Sequence, residues 1–177
     1  MFGTLIERLN TNLKTMKYLL GLFAIVVLFS CQSQKVESKY STIEYEAGAC
    51  FGFCPIYKMT IQADRTAVLE AEHFNFSKGT SKDEFSKPRE GTFTTTIKEA
   101  DYNKLLASLN DLDVKSLQDK YGSRNVSDMP TSYLRIKLAD GTSKNTEDYG
   151  KRGSEKLIKV YQIFEDLKQS QQWTKVK

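Results

Sequence analysis

Tyr57-Lys58-Met59-Thr60-Ile61, then Asp64-Arg65, then Thr66-Ala67-Val68-Leu69-Glu70-Ala71: apolar and polar side chains alternate on both sides of a turn signal. Alternation with period two marks a half-buried strand, so the stretch predicts an antiparallel hairpin. A second stretch repeats the arrangement. Tyr133-Leu134-Arg135-Ile136-Lys137-Leu138 alternates, Asp140-Gly141 is a hairpin signal, and Thr142 to Asp148 returns as a polar strand, expected at an edge or with little burial. Thr42-Ile43-Glu44-Tyr45 predicts a first strand, and Gly91-Thr92-Phe93-Thr94-Thr95, rich in β-branched residues, a further one.

Two helices follow these strands. Thr96-Ile97-Lys98-Glu99 fits a capping box, with a hydroxyl at the N-cap and a carboxylate three positions on. Behind it Tyr102, Leu105, Leu106, Leu109 and Leu112 recur at helical spacing. Ser154 is the N-cap expected for a last helix carrying Leu157, Ile158, Tyr161, Phe164 and Leu167 on one face. Ser77 to Gly91 and Gln118 to Pro130 are polar and are expected as loops. An amphipathic helix must cover an apolar sheet face. The expected fold is therefore α+β: an antiparallel sheet of about five to six strands with two amphipathic helices packed on one face, a two-layer sandwich. The two hairpin-plus-helix halves also suggest an internal repeat that lays Tyr57, Met59 and Ile61 over Leu134, Ile136 and Leu138.

Ahead of this domain, Lys14 and Lys17 precede the apolar run Tyr18 to Phe29, which ends at Ser30-Cys31. A charged segment, then a short apolar segment, is the order of a secretory signal. The run has about 12 residues where a span needs about 20. Leu28-Phe29-Ser30-Cys31 resembles a bacterial lipobox, whose cysteine is lipidated and becomes the first mature residue; Phe29 is larger than usual there. The expected layout is a lipoprotein signal peptide over residues 1–30, a tether over 31–41 and a single α+β domain over 42–177. Met16-Lys17 would be a natural start, which makes residues 1–15 a non-native extension or a misplaced start. Acyl chains on Cys31 would hold the domain at a membrane surface, since two or more chains give stable anchoring. The expected location is the bacterial cell envelope, on a face the sequence does not specify.

The leader holds Arg8, Lys14, Lys17 and Glu7, so 26 basic and 22 acidic residues fall to 23 and 21 in the mature chain. Signs are interspersed and no basic stripe carries stacking aromatics, which argues against nucleic acid as a partner. With Cys31 lipidated, Cys50 and Cys54 remain. In an oxidising compartment an even pair reads as a disulfide, here a short ring in which Gly52 supplies backbone freedom. A redox-active or sensing pair is the alternative, although thioredoxin-type cysteines are separated by two residues and start a helix. His73 is the only histidine, so neither a metal site nor a Ser-His-Asp arrangement has its parts, and no cofactor is implied.

Cys50-Phe51-Gly52-Phe53-Cys54-Pro55-Ile56-Tyr57, after a lipobox, resembles the signature of a family of bacterial lipoproteins, the domain of unknown function 6438. Tyr121, Asp128-Met129-Pro130 and the closing helix extend the resemblance over about Ser41 to Leu167. It implies location and domain extent, and no activity, substrate or catalytic residue.

Lacking a nucleophile with its base, the chain is expected to be a non-catalytic envelope module that binds a protein or cell-wall partner. The candidate surface is Phe51, Gly52 and Phe53 in the stapled loop, together with Asp128. A rigid exposed aromatic loses little entropy on contact. The opposing reading has both rings sealing the end of the sheet, and Asp128 serving an Asx-type turn.

Overall fold

The computed structural model describes residues 38–52, 54–73 and 90–176, which lie within one compact unit, Ser38–Lys177. The strands are β1 (Tyr40–Ala47), β2 (Ile56–Gln62), β3 (Thr66–His73), β4 (Gly91–Thr96), β5 (Lys120–Tyr121), β6 (Thr131–Leu138), β7 (Ser143–Tyr149) and β8 (Thr174–Lys175). The helices are α1 (Glu99–Leu112) and α2 (Glu155–Ser170). All eight strands form one sheet in the order β5-β7-β6-β1-β2-β3-β4-β8. Every pairing is antiparallel except the two-residue contact of β5 with β7.

The α+β class stands, but eight strands exceed the five to six expected. The additional strands, β5 and β8, have two residues each. Neither is long enough to show a period in sequence; each exists because a neighbouring strand supplies the partner groups.

β1 occupies the middle of the sheet, and its own hydrophobic pattern explains why. Ile43, Tyr45 and Ala47 are buried at alternate positions, and a register shift between Tyr40 and Thr42 turns Tyr40 to the same side. Across the strands, Tyr45 stands between Met59 and Leu134, and Ile43 between Ile61 and Ile136. Both helices cover this face. The Tyr40 hydroxyl donates to Asn110 Oδ1 on α1 (2.9 Å), while Tyr45 stacks on Tyr161 and Phe164 of α2. The opposite face carries Glu44, Glu46, Lys58, Glu70, Tyr133, Arg135 and Glu147, joined by ion pairs. Among the described residues no helix is long and apolar enough to cross a membrane.

α2 begins as expected, with Ser154 Oγ accepting from the Leu157 N–H (3.3 Å). α1 does not. Thr96 stays in β4, paired with Thr66, and the N-cap is Lys98, with no side-chain cap of its own. The capping box fails because Ile97 is fully buried, and placing it there delays the helix by one more residue. Ile97 and Tyr102 then occupy the two positions of a hydrophobic staple, before the cap and in the first turn. The cap comes from the other helix instead. Gln171, just past α2, accepts the Lys98 N–H on Oε1 (3.0 Å) and donates through Nε2 to Asp101 (2.7 Å). One amide thus closes the start of α1 and the end of α2 together. Gln171→Ala is expected to lower stability by about 1–2 kcal/mol, read as a lower urea midpoint at unchanged slope. An unmoved midpoint would show that the bridge is incidental.

Candidate functional site

Three connections meet at the end of the sheet where β1 finishes. Cys50 and Cys54 are joined in a disulfide, their Cα atoms 5.7 Å apart, in the loop between β1 and β2. The Phe51 N–H donates to the Asp128 carbonyl (3.1 Å), and the Gly48 N–H to the Thr131 carbonyl (2.8 Å). The Gly150 N–H donates to the Pro130 carbonyl (2.8 Å). The ring, the loop before β6 and the loop after β7 are therefore hydrogen-bonded into one surface.

Of the residues named from sequence, Phe51, Gly52 and Asp128 are brought together here. Phe51 is 86% exposed, so for this ring the sealing role does not apply. Gly52 has φ +123°, a conformation side-chain-bearing residues rarely adopt, which is why the loop can double back so soon. Asp128 has φ +68°, and the bond that ties it into the site runs through its main-chain carbonyl, in place of the expected side-chain turn. Phe53 and Cys31 lie outside the described residues. His73 ends β3 opposite Ile56. Among the described residues no group of three or more His, Cys, Asp or Glu is placed to hold a metal ion.

The sequence reading missed what lies beneath the ring. β7 was expected to bury little, yet Asp148 is fully buried and Thr146 nearly so. β7 is also not the outermost strand, because β5 lies beyond it. Asp148 accepts the N–H groups of Arg152 (2.7 Å) and Gly153 (3.0 Å) and so folds the loop that launches α2. A Cβ on Gly153 would come within 2.9 Å of Asp148 Oδ2 and 2.6 Å of Leu157 Cδ2, so a side chain there would have to displace both of these groups. An aspartate two residues before a glycine, in a loop that ends on an N-cap serine, was the available signal.

A polar row continues from Asp148 under α2. Tyr45 Oη lies 3.3 Å from Ser132 Oγ. Lys168, only 3% exposed, pairs with Glu165 (2.8 Å) and lies over the Tyr57 ring, 4.4 Å from its centroid. Burial lowers the Lys168 pKa, with Glu165 opposing the shift. The hydroxyls of Tyr57 and Tyr161 are buried outside full hydrogen-bonding geometry, although Glu165 and Asp148 are near enough for their charge to act on them. Tyr45, Tyr57 and Asp148 are sealed from solvent, so the row fastens the sheet to α2 and offers nothing to a substrate.

The family model for a domain of unknown function (DUF6438) matches residues 41–168, and the chain belongs to that family. No curated protein matches it. The motifs behind the resemblance, the cysteine ring and Asp128-Met129-Pro130, are the segments that the structure joins at this end.

Burial raises the phenol pKa of Tyr40, Tyr45, Tyr57 and Tyr161 above 10.0, with nearby carboxylates adding to it. Above pH 10 the unfolded chain loses those protons while the fold retains them, so stability falls as pH rises. Each retained proton costs about 1.4 kcal/mol per pH unit. Lys168 acts in the opposite sense, between its lowered value and 10.5, and only softens the fall. Absorbance at 295 nm should show these four phenols ionising together with loss of near-ultraviolet circular dichroism. Smooth titration of all tyrosines in a protein still folded would contradict this.

Proposed function

We propose that the protein is a lipid-anchored envelope module, held by Cys31, that binds a protein or cell-wall partner through the stapled end of its sheet. The observation that carries this reading is Phe51, 86% exposed on a ring closed by the Cys50–Cys54 disulfide and pinned to Asp128. Leaving a large aromatic in water is unfavourable, and its rigid presentation reduces the entropy lost when a partner covers it. Val126, also exposed (56%), belongs to the same loop as Asp128. The orientation of β1 supports the same reading. The tether enters at Tyr40 and the ring follows Ala47, so eight residues of strand separate them by about 26 Å. The anchor and the binding tip then act from opposite ends.

Photo-crosslinking in intact cells tests the reading: a benzophenone residue replacing Phe51 should give a discrete adduct that the same group at Val68, on the open sheet face, does not. Equal patterns from the two positions would remove the stapled end as the contact. Palmitate labelling lost in Cys31→Ser checks the anchor separately.

Thiol–disulfide exchange is the competing function. The pair sits in a strand-to-strand loop, without the helix N-terminus that lowers a thiol pKa in oxidoreductases. The expected reduction potential of the protein is below about −300 mV, that of a structural bond. A value near the about −120 to −200 mV of exchange catalysts would favour the competitor.

A further inference from the structure

We propose that the partner is a folded protein gripped at two segments at once, Phe51 of the ring and the loop of residues 122–130 between β5 and β6, with Tyr149 as the positioning residue for that loop. This rests on the reading of the stapled end as the binding surface. A standard protein interface uses about 20 to 30 residues on each side, and a five-residue ring supplies too few. The loop is joined to the ring where the Asp128 carbonyl accepts the Phe51 N–H, and its residues 122–128 are all exposed.

Specific bonds hold this exposed loop in shape. β7 delivers Tyr149 to it, and the phenol oxygen donates to the Val126 carbonyl (2.7 Å) while accepting the Met129 N–H (3.3 Å). The Arg124 guanidinium lies 4.9 Å from the Tyr149 ring centroid and pairs with Glu147 (2.8 Å). The Asn125 N–H donates to Ser123 Oγ (3.3 Å). One buried strand residue thus meets the loop at three points. A loop fixed before its partner arrives loses less entropy on contact.

What the two segments display selects the partner class. A small ligand is held in a concave site that covers most of its surface, whereas seven consecutive exposed residues project outwards. A polyanion is bound by neutralising its charges with several cations, but Arg124 is already paired and Asp128 is acidic. An exposed aromatic and an arginine stand here among Ser123, Asn125 and Ser127. That is the mixture of protein-recognition surfaces, a few rigid anchors set among adaptable hydrogen-bonding groups.

The test is photo-crosslinking of the full chain in intact cells, with a benzophenone residue replacing either Phe51 or Val126. Both positions should capture the same polypeptide, identified by mass spectrometry, in adducts that a muramidase leaves unchanged. No adduct from Val126, or a different polypeptide, overturns the proposal, while an adduct from Phe51 alone keeps the stapled end as the contact. Adducts that muramidase shortens overturn the protein partner in favour of a cell-wall glycan. Failure at both positions removes the stapled end as the binding surface and the proposal with it. Tyr149→Phe keeps the ring and removes the hydroxyl. It should lower the Val126 yield relative to the Phe51 yield about fivefold, the effect of losing about one hydrogen bond. Loss of fold would lower both yields in proportion, so an unchanged ratio overturns the positioning role. Should that variant not accumulate, Arg124→Gln, at an exposed position, decides by the same ratio.

Discussion

The pairing of β1 with β6 makes one sheet out of two hairpins, and Tyr45 is the residue on which that pairing closes. Its ring is fully buried, set between Met59 and Leu134 across the strands and stacked on Tyr161 and Phe164. Its hydroxyl reaches Ser132, 87 residues away in sequence. Closing so long a loop costs entropy that grows only slowly with its length, but nothing offsets that cost until the far strand arrives. An aromatic that meets both neighbouring strands and a helix at once provides a large gain in one step. Without it β1 would be an edge for the β2–β3 hairpin, and α2 would have no floor.

The same closure explains why polar groups accumulate at this end. α2 buries Leu157, Val160, Tyr161, Ile163, Phe164 and Leu167 in the core, and specific bonds add to that packing. Asp148 holds the loop ahead of it, Ser154 caps it, and Lys168 lies on the Tyr57 ring with Glu165 beside it. A buried ion pair adds little net stability. Its contact with the sheet is the one Lys168 makes over the Tyr57 ring; Glu165 lies on the same helix and would move with it if α2 turned about its axis.

The alternation in β2, β3 and β6 made much of the sheet legible, because each has a buried and a solvated face; β7 was legible from the hairpin signal Asp140-Gly141 ahead of it. The apolar stripes of α1 and α2 were legible for a similar reason. What escaped was set by contacts between distant segments. Thr96-Ile97-Lys98-Glu99 satisfies the local rule for a cap, yet burial of Ile97 overrides it and Gln171 supplies the bond from another helix. Asp148 looks like a solvated strand residue until the loop from Gly150 to Gly153 folds over it. At the candidate site, the cysteine spacing gave the ring and Phe51, while the bond joining Phe51 to Asp128 depends on β1 and β6 lying side by side.

That side-by-side arrangement also separates the surfaces available for recognition. The helices consume the inner face, leaving the polar outer face and the two ends of the sheet. Tyr40 begins β1 beside α1, and its hydroxyl is bound to Asn110. Ala47 ends the strand beneath the ring. Because β1 is paired on both sides along its length, its start and the ring at its end cannot move independently. The two ends of the strand are therefore linked rigidly, without a hinge inside the sheet.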